Sequence, residues 1–377
     1  MSAWPGKYVI GLTGNIATGK SVVRRMLEHL GAYGIDADAL SHRAIAQGAP
    51  GYKPVVATFG NWVLAPDGQV DRAKLARVVF SDPEALTRLE SIVHPLVGQA
   101  VDLLVRRSKQ KVIVIEAIKL IESDLRTMCD TLWVTYAPQE IQLARLMQKR
   151  NLSEANARQR IATQPPQELK TGAANVIIQN QGSFDDTWRQ VVAAWQKVFP
   201  TEDTGPLAPA KAARGKMVVQ RARPRQAQEI ANFISHSTAG QRKLNRDDIM
   251  AAFGEKAFLL LLQDNRLVGL IGWQVENLVA RTDEIYLEPS LPFSDAMQAL
   301  MGEVERASRE LQCEIALIFL KPELFRQGNV WQSLGYQRRS IQGLGVRAWQ
   351  EAAVESMPPG SMLLFKQLRK DRVLRPV

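Results

Sequence analysis

The run Gly14-Asn15-Ile16-Ala17-Thr18-Gly19-Lys20-Ser21 has the residue types and the spacing, G-x-x-x-x-G-K-[ST], that hold a phosphate chain. Such a loop turns backbone N–H groups inward as an anion cradle, and a helix beginning at its end adds its positive pole to the same point. Glycines at both ends permit the backbone angles and close approach that a side chain forbids. In that arrangement Lys20 reaches the β- and γ-phosphates of ATP, and Ser21 offers its hydroxyl to Mg²⁺. A dinucleotide-binding loop is disfavoured, because G-x-G-x-x-G is absent here. A second pair follows in "GIDADALSHRAI", where Asp36 and Asp38 leave the carboxyl end of the next apolar run, the side on which parallel sheets bind ligands. Two residues apart on a strand, they share one face. A carboxylate there can take the proton of an attacking hydroxyl or hold it in line with the γ-phosphate. Asp38 could equally cap a helix beginning at Ala39, and residue type alone leaves the two readings level.

The elements that must position these groups alternate. Apolar strand-like runs at Lys7 to Thr13, Gly34 to Asp38, Lys111 to Ala117, Thr131 to Tyr136 and Asn175 to Gln179 are separated by helical three-and-four spacing over Val22 to Leu30, Pro83 to Val105 and Gln139 to Gln148. That order predicts a parallel sheet flanked by helices, an α/β kinase-like fold. "KVIVIEA" reads as a strand buried on both faces. After a helix at Phe184 to Phe199, the stretch 201–216, "TEDTGPLAPAKAARGK", lacks periodicity and reads as a linker between a domain over 1–200 and another over 217–377. In the second domain a strand at Met217 to Ala222 and helices near Arg225 to Ser235 and Asp247 to Phe253 precede strands Ala257 to Gln263 and Leu267 to Val275. "QDNRLVG" joins the last two as an antiparallel hairpin. A strand at Ala280 to Leu287, a helix at Ser294 to Leu311 and a strand at Glu314 to Phe319 complete an α/β unit with a mixed, mostly antiparallel sheet.

The chain's 377 residues, 46% hydrophobic and 23% charged, suit two soluble domains. Its net charge of +10 divides into +6 before Pro200 and +4 after it, with no basic stripe, so neither nucleic acid nor a membrane is an expected partner. Small phosphorylated ligands account for the surplus equally well. Cys129 and Cys313 show no disulfide or metal spacing, and Met1 to Lys7 lacks the pattern of a signal peptide. A reducing cytoplasm is the expected location.

Six segments, "VIGLTGNIATGKSVV", "GIDADALSHRAI", "GAPGYKPVVATFG", "DRAKLARVVFSDPEALTRLESIVHPLV", "RNLSEANARQRIATQ" and "ANVIIQNQG", stand in the order and near the spacing of the dephospho-CoA kinase family. The resemblance runs from about Lys7 to Phe199. It implies phosphorylation of the ribose 3′-hydroxyl of dephospho-CoA by ATP with Mg²⁺, the last step of coenzyme A synthesis. It further implies that Asp38 sits on that hydroxyl and that His94, in the family's His-Pro element, lies beside the acceptor. Residues 145–164 resemble the family's lid. Arg150 is there the candidate for contact with the transferring phosphoryl group, Arg145 a further nucleotide contact, and Asn180 and Gly182 match the Asn-x-Gly turn that packs on adenine. Three departures stand out. Asn15, Ala17 and Thr18 replace the commonest loop residues. In "VIVIEAIKLIES", Glu116 and Glu122 keep the acidic positions, but Ile118 and Lys119 replace proline and leucine. Asn175 stands where aspartate is frequent. Glu116 could join Ser21 around Mg²⁺ as a Walker-B-like acid, while Lys119 and Glu122 would face the acceptor.

The strand and helix order after Met217, with "VWQSLGYQRRS" near its end, resembles the GNAT-type N-acetyltransferase fold. That family cradles the acetyl-CoA pyrophosphate on a glycine-bearing loop, whereas no glycine occurs from Tyr286 to Leu300. The expectation is a non-catalytic, acetyltransferase-like accessory whose partner is coenzyme A, an acyl-CoA or a second copy of the chain. The competing readings are an acyl-CoA-dependent N-acyltransferase, alone or in a bifunctional chain, and a kinase of another nucleoside or alcohol. A nucleotide switch associated with nucleic acid is a third.

Overall fold

A computed structural model describes residues 3–150, 152–200, 215–371 and 373–374, without the side chains of 149 and 150. Most of the predicted linker, 201–214, lies outside the described residues. In chain order the first half runs β1 (Tyr8–Thr13), α1 (Lys20–His29), β2 (Tyr33–Asp36), α2 (Ala37–Ala44), α3 (Tyr52–Phe59), α4 (Arg72–Val79), α5 (Pro83–Arg107), β3 (Val112–Glu116), β4 (Thr131–Tyr136), α6 (Gln139–Arg150), α7 (Glu154–Ala162), α8 (Gln167–Gly172), β5 (Val176–Gln179) and α9 (Phe184–Val198). Its five strands pair in the order β2-β3-β1-β4-β5, every neighbour parallel. All five residues of β3 are buried, as a strand covered by helices on both faces requires.

One boundary differs from the sequence reading in a way that matters. β2 stops at Asp36, because the Asp36 carboxylate accepts the Ala39 N–H at 2.8 Å and caps α2. Asp38 therefore lies in the first turn of a helix, and the two acids do not share a strand face. The cap belongs to Asp36 and not to Asp38.

The second half runs β6 (Met217–Arg221), α10 (Ala227–Ser237), α11 (Arg246–Phe253), β7 (Ala257–Gln263), β8 (Arg266–Glu276), β9 (Val279–Leu287), α12 (Phe293–Glu310), β10 (Ile315–Leu320), α13 (Pro322–Phe325), α14 (Gly328–Ser333), β11 (Gln337–Arg338), α15 (Arg347–Ser356) and β12 (Met362–Gln367). The strands form one mixed sheet, β11-β12-β10-β9-β8-β7-β6, in which only β9 and β10 run parallel. Asp264 and Asn265, at φ 49° and 64°, make the expected tight turn between β7 and β8.

The two halves pack against each other. Arg43 on α2 donates to Glu314 Oε2 at 2.6 Å and to the Asn277 carbonyl at 2.6 Å, and Trp349 Nε1 donates to the same Glu314 oxygen at 3.1 Å. Arg25 on α1 lies 3.5 Å from Glu276, and His29 Nε2 lies 2.8 Å from the Phe253 carbonyl. Leu278 and Leu374 join the apolar core of the first half, so one hydrophobic cluster crosses the boundary.

Candidate active site

The loop from Gly14 to Ser21 connects β1 to α1, with Gly19 in the left-handed region at φ 92°. A Cβ on Gly19 would lie 1.8 Å from Asn180 Nδ2, and one on Gly14 would lie 2.3 Å from Thr135 Oγ1. Both glycines are therefore fixed by close approach as well as by angle. Ala17 also has a positive φ, 59°, where a side chain is strained. Outward-facing carbonyls hold the loop in shape: Arg145 Nη1 donates to Ala17 O at 3.1 Å, and Asn180 Nδ2 donates to Thr18 O at 2.9 Å. Arg145 Nη2 in turn donates to Asn180 O at 2.9 Å, so these two residues brace the loop together. Asn15 Nδ2 donates to Pro165 O at 2.8 Å, and the Ile16 N–H donates to Gln164 Oε1 at 2.7 Å, which ties the loop to the end of the predicted lid. The Thr18 hydroxyl bonds Asn15 O and Thr135 Oγ1. Buried Lys20 bends back over the loop, donating to Gly14 O at 3.0 Å and Asn15 O at 3.3 Å.

Adjacent strand ends bring the acids together. Glu116, last residue of β3, is buried; its Oε1 accepts from Ser21 Oγ at 2.8 Å and its Oε2 from Arg24 Nε at 2.7 Å. Asp36 stands beside Glu116 in register, and burial, reinforced by that neighbouring carboxylate, pushes its carboxyl well up from the usual range. Asp38 Oδ2 accepts the Ile118 N–H at 3.0 Å. Burial raises the Asp38 carboxyl, opposed by that N–H and by the charge of Lys20. The amide at position 118 is a donor that a proline there could not supply.

Other predicted residues lie farther out. His94 is exposed within α5, one residue before Pro95, and no hydrogen bond joins it to Asp38. Lys119 is exposed, with its Nζ 3.3 Å from Glu90 Oε1, and Glu122 is exposed as well. Gly182 precedes the Ser183–Asp186 capping box of α9, and a Cβ there would lie 2.7 Å from Asp186 Oδ2. Arg150 ends α6, and its side chain lies outside the described residues. Lys170 escaped the sequence reading because it sits in a short polar helix after Pro165-Pro166, with no periodic or motif signal. It is buried, which pushes its ammonium downward, and it donates to the Ile118 carbonyl that also accepts from Thr13 Oγ1 at 3.0 Å. Arg24 escaped as an ordinary helical charge.

In the second half β9 and β10 pair only from Val279/Ile315 to Thr282/Ile318. Beyond Thr282 they part, and a cleft of about 610 Å³ opens there, lined by Glu284, Tyr286, Leu291, Phe319, Lys321 and Arg242 among others.

A parallel sheet whose first strand opens into a glycine-bounded phosphate cradle, with acids at the ends of the flanking strands, defines a P-loop kinase. The family profile described as dephospho-CoA kinase matches residues 8–186. A dephospho-CoA kinase of Geobacter metallireducens is 44% identical over 192 residues, covering 50% of this chain and 96% of its own. The chain belongs to the dephospho-CoA kinase family. Among solved structures, TT1252 of Thermus thermophilus is 32% identical over 51% of this chain and 98% of its own, with a TM-score of 0.46. An N-acetyltransferase of Thermoplasma acidophilum, solved with coenzyme A, matches 40% of this chain and 99% of its own at 10% identity and a TM-score of 0.31. Among the described residues no helix is long and apolar enough to cross a membrane.

Proposed function

We propose that the domain over 1–200 transfers the γ-phosphoryl group of ATP to the 3′-hydroxyl of dephospho-CoA, giving coenzyme A, and that the domain over 217–377 is a non-catalytic accessory. The observation that carries the first part is the meeting of Lys20, Asp38, Ser21 and Glu116 at the carboxyl ends of β1, β2 and β3. Lys20 and the loop amides hold the β- and γ-phosphates. Asp38, fixed by the Ile118 N–H, orients the hydroxyl and receives its proton as attack proceeds. Arg145 and Asn180 keep the loop closed around the nucleotide, Gly182 lets the chain turn beside adenine, and Arg150 belongs to the closing lid. His94, Lys119 and Glu122 border the acceptor's path. The 2.8 Å pair of Ser21 Oγ and Glu116 Oε1 is a hard oxygen donor set that suits Mg²⁺. When bound, Mg²⁺ supplies neutralisation of charge on the phosphate oxygens. Two free, buried cysteines, Cys129 and Cys313, support a cytoplasmic setting.

For the second domain, the parting of β9 and β10 supports a cleft for coenzyme A or an acyl-CoA. The loop entering α12 has proline, Pro292, at its N-cap and no glycine, which argues against the backbone pyrophosphate cradle of a working acetyltransferase. ADP release coupled to detection, with coenzyme A identified by mass, tests the kinase assignment on the full chain. Asp38→Asn is expected to leave ATP affinity within twofold and to lower kcat by about a hundredfold or more. No coenzyme A from the unaltered chain, or full turnover by Asp38→Asn, sinks the respective assignment. Calorimetric titration of the full chain with acetyl-CoA tests the cleft through the Tyr286→Ala variant, whose heat should vanish only if the cleft binds.

A further inference from the structure

We infer that Lys170 is a catalytic residue of the transfer step: a second cation, beside Lys20, that binds the oxygens of the phosphoryl group as it passes to the acceptor. The inference rests on the kinase reading above and deepens it.

Lys170 is carried on α8, the short helix that follows the predicted lid, and is only 4% exposed. Burying an ammonium costs several kcal/mol unless ionic or hydrogen-bonding partners compensate. The partner that Lys170 has is a neutral carbonyl, that of Ile118. The charged groups that act on it electrostatically are Glu122, Lys20 and Asp38. Two of these frame the line of transfer: Lys20 on the donor side and Asp38 on the acceptor side. Asp38 in turn feels both lysines.

The backbone of Ile118 joins this arrangement. Its N–H holds Asp38 Oδ2 at 3.0 Å, and its carbonyl receives Lys170 Nζ and, at 3.0 Å, Thr13 Oγ1. The acid and the cation are therefore held by the two backbone groups of a single residue, Ile118, which lie on adjoining peptide planes. A carbonyl partner is readily exchanged for a phosphate oxygen, because the charge-assisted bond is roughly twice as strong.

In the step itself the acceptor O–H gives its proton to Asp38, the new O–P bond forms, the bond from Pγ to the β-bridging oxygen breaks, and ADP leaves with that electron pair. Lys170 keeps its protons throughout. Its contribution is to meet the negative charge on the equatorial oxygens, which is where such transition states are stabilised.

The experiment measures kcat and both KM values for the unaltered chain, Lys170→Met, Lys170→Arg and Lys170→Ala, together with thermal unfolding. Lys170→Met is expected to lower kcat by about 10²–10³-fold with both KM values within about threefold, since the contact is made in the transition state. Lys170→Arg should recover at least tenfold of that loss. Added ethylammonium should raise the kcat of Lys170→Ala without moving its unfolding temperature, a rescue that a purely structural role would not give. Full turnover by Lys170→Met overturns the inference, as does a loss confined to the KM for dephospho-CoA, which would place Lys170 on a non-reacting part of the acceptor. Should Lys170→Met fail to fold, the Arg variant and the ammonium rescue decide. If the unaltered chain makes no coenzyme A, the kinase reading falls and this one with it; if it does and Lys170→Met matches it, only Lys170 is wrong.

Discussion

Glu314→Gln is the perturbation that best tests whether the two halves form one cooperative body. The substitution keeps the volume and a hydrogen-bonding terminus but removes the charge that faces Arg43 at 2.6 Å. The two side chains are 9% and 1% exposed, so water screens little of the loss. Removing one partner of a buried pair costs about 3–5 kcal/mol, because the other charge is left buried. Arg43 keeps the Asn277 carbonyl at 2.6 Å and the glutamine still accepts from Trp349, so the lower figure, about 3 kcal/mol, applies. That is about a hundredfold in the unfolding equilibrium. Urea unfolding followed by tryptophan fluorescence reads it. Because Leu278 and Leu374 belong to the core of the first half, a single transition is expected, and Glu314→Gln should shift it as a whole. Arg43→Met combined with Glu314→Gln should recover at least about 1 kcal/mol relative to the sum of the single changes, since no charge is then stranded. A cost for Glu314→Gln below about 1 kcal/mol, or strict additivity of the pair, would refute the reasoning.

Three further outcomes follow from individual residues. Ala17 sits at φ 59°, so Ala17→Gly should raise stability by about 0.5–1 kcal/mol in thermal unfolding with ATP affinity unchanged. A fall in stability would mean that the loop is not strained there. Gly19→Ala places a Cβ 1.8 Å from Asn180 Nδ2 and should weaken ATP binding more than about tenfold by titration, whereas unchanged affinity would remove the Asn180 brace from the argument. Burial, reinforced by the charge of Arg221, pushes His29 from 6.5 down to about 3. The unfolded chain then binds a proton below about pH 6.5 that the folded chain refuses. Stability contributed by His29 is full above that pH and is lost at up to about 1.4 kcal/mol per unit as pH falls from 6.5 towards 3. His29→Gln should flatten the urea midpoint against pH in that window; an unaltered slope would show that other groups govern it.

Much of the first sheet was legible because parallel strands covered on both faces must be nearly all apolar, as "VIVIE" is. The glycine loop was legible because its chemistry needs particular residues at fixed spacing. What the sequence did not show was decided by competition or by distance. β2 and α2 meet two residues earlier than the apolar pattern suggests, since a carboxylate cap at Asp36 outbids continued strand. α3, "YKPVVATF", carries a proline in its first turn and too few residues to display a period, so helical spacing does not mark it. Lys170 looks like any charge on a short polar helix until the fold buries it beside Asp38. Arg43 and Glu314 are 271 positions apart, and nothing local marks either as half of a pair.

That separation has a temporal side. Ribosomes deliver roughly 5–20 residues each second, so Arg43 emerges about 15–50 s before the carboxylate that it will meet. For that interval α2, with Asp38 in its first turn, exists without its far-side anchor. Until Glu314 has been made, the nascent kinase half holds Arg43 without the carboxylate that it meets in the folded chain.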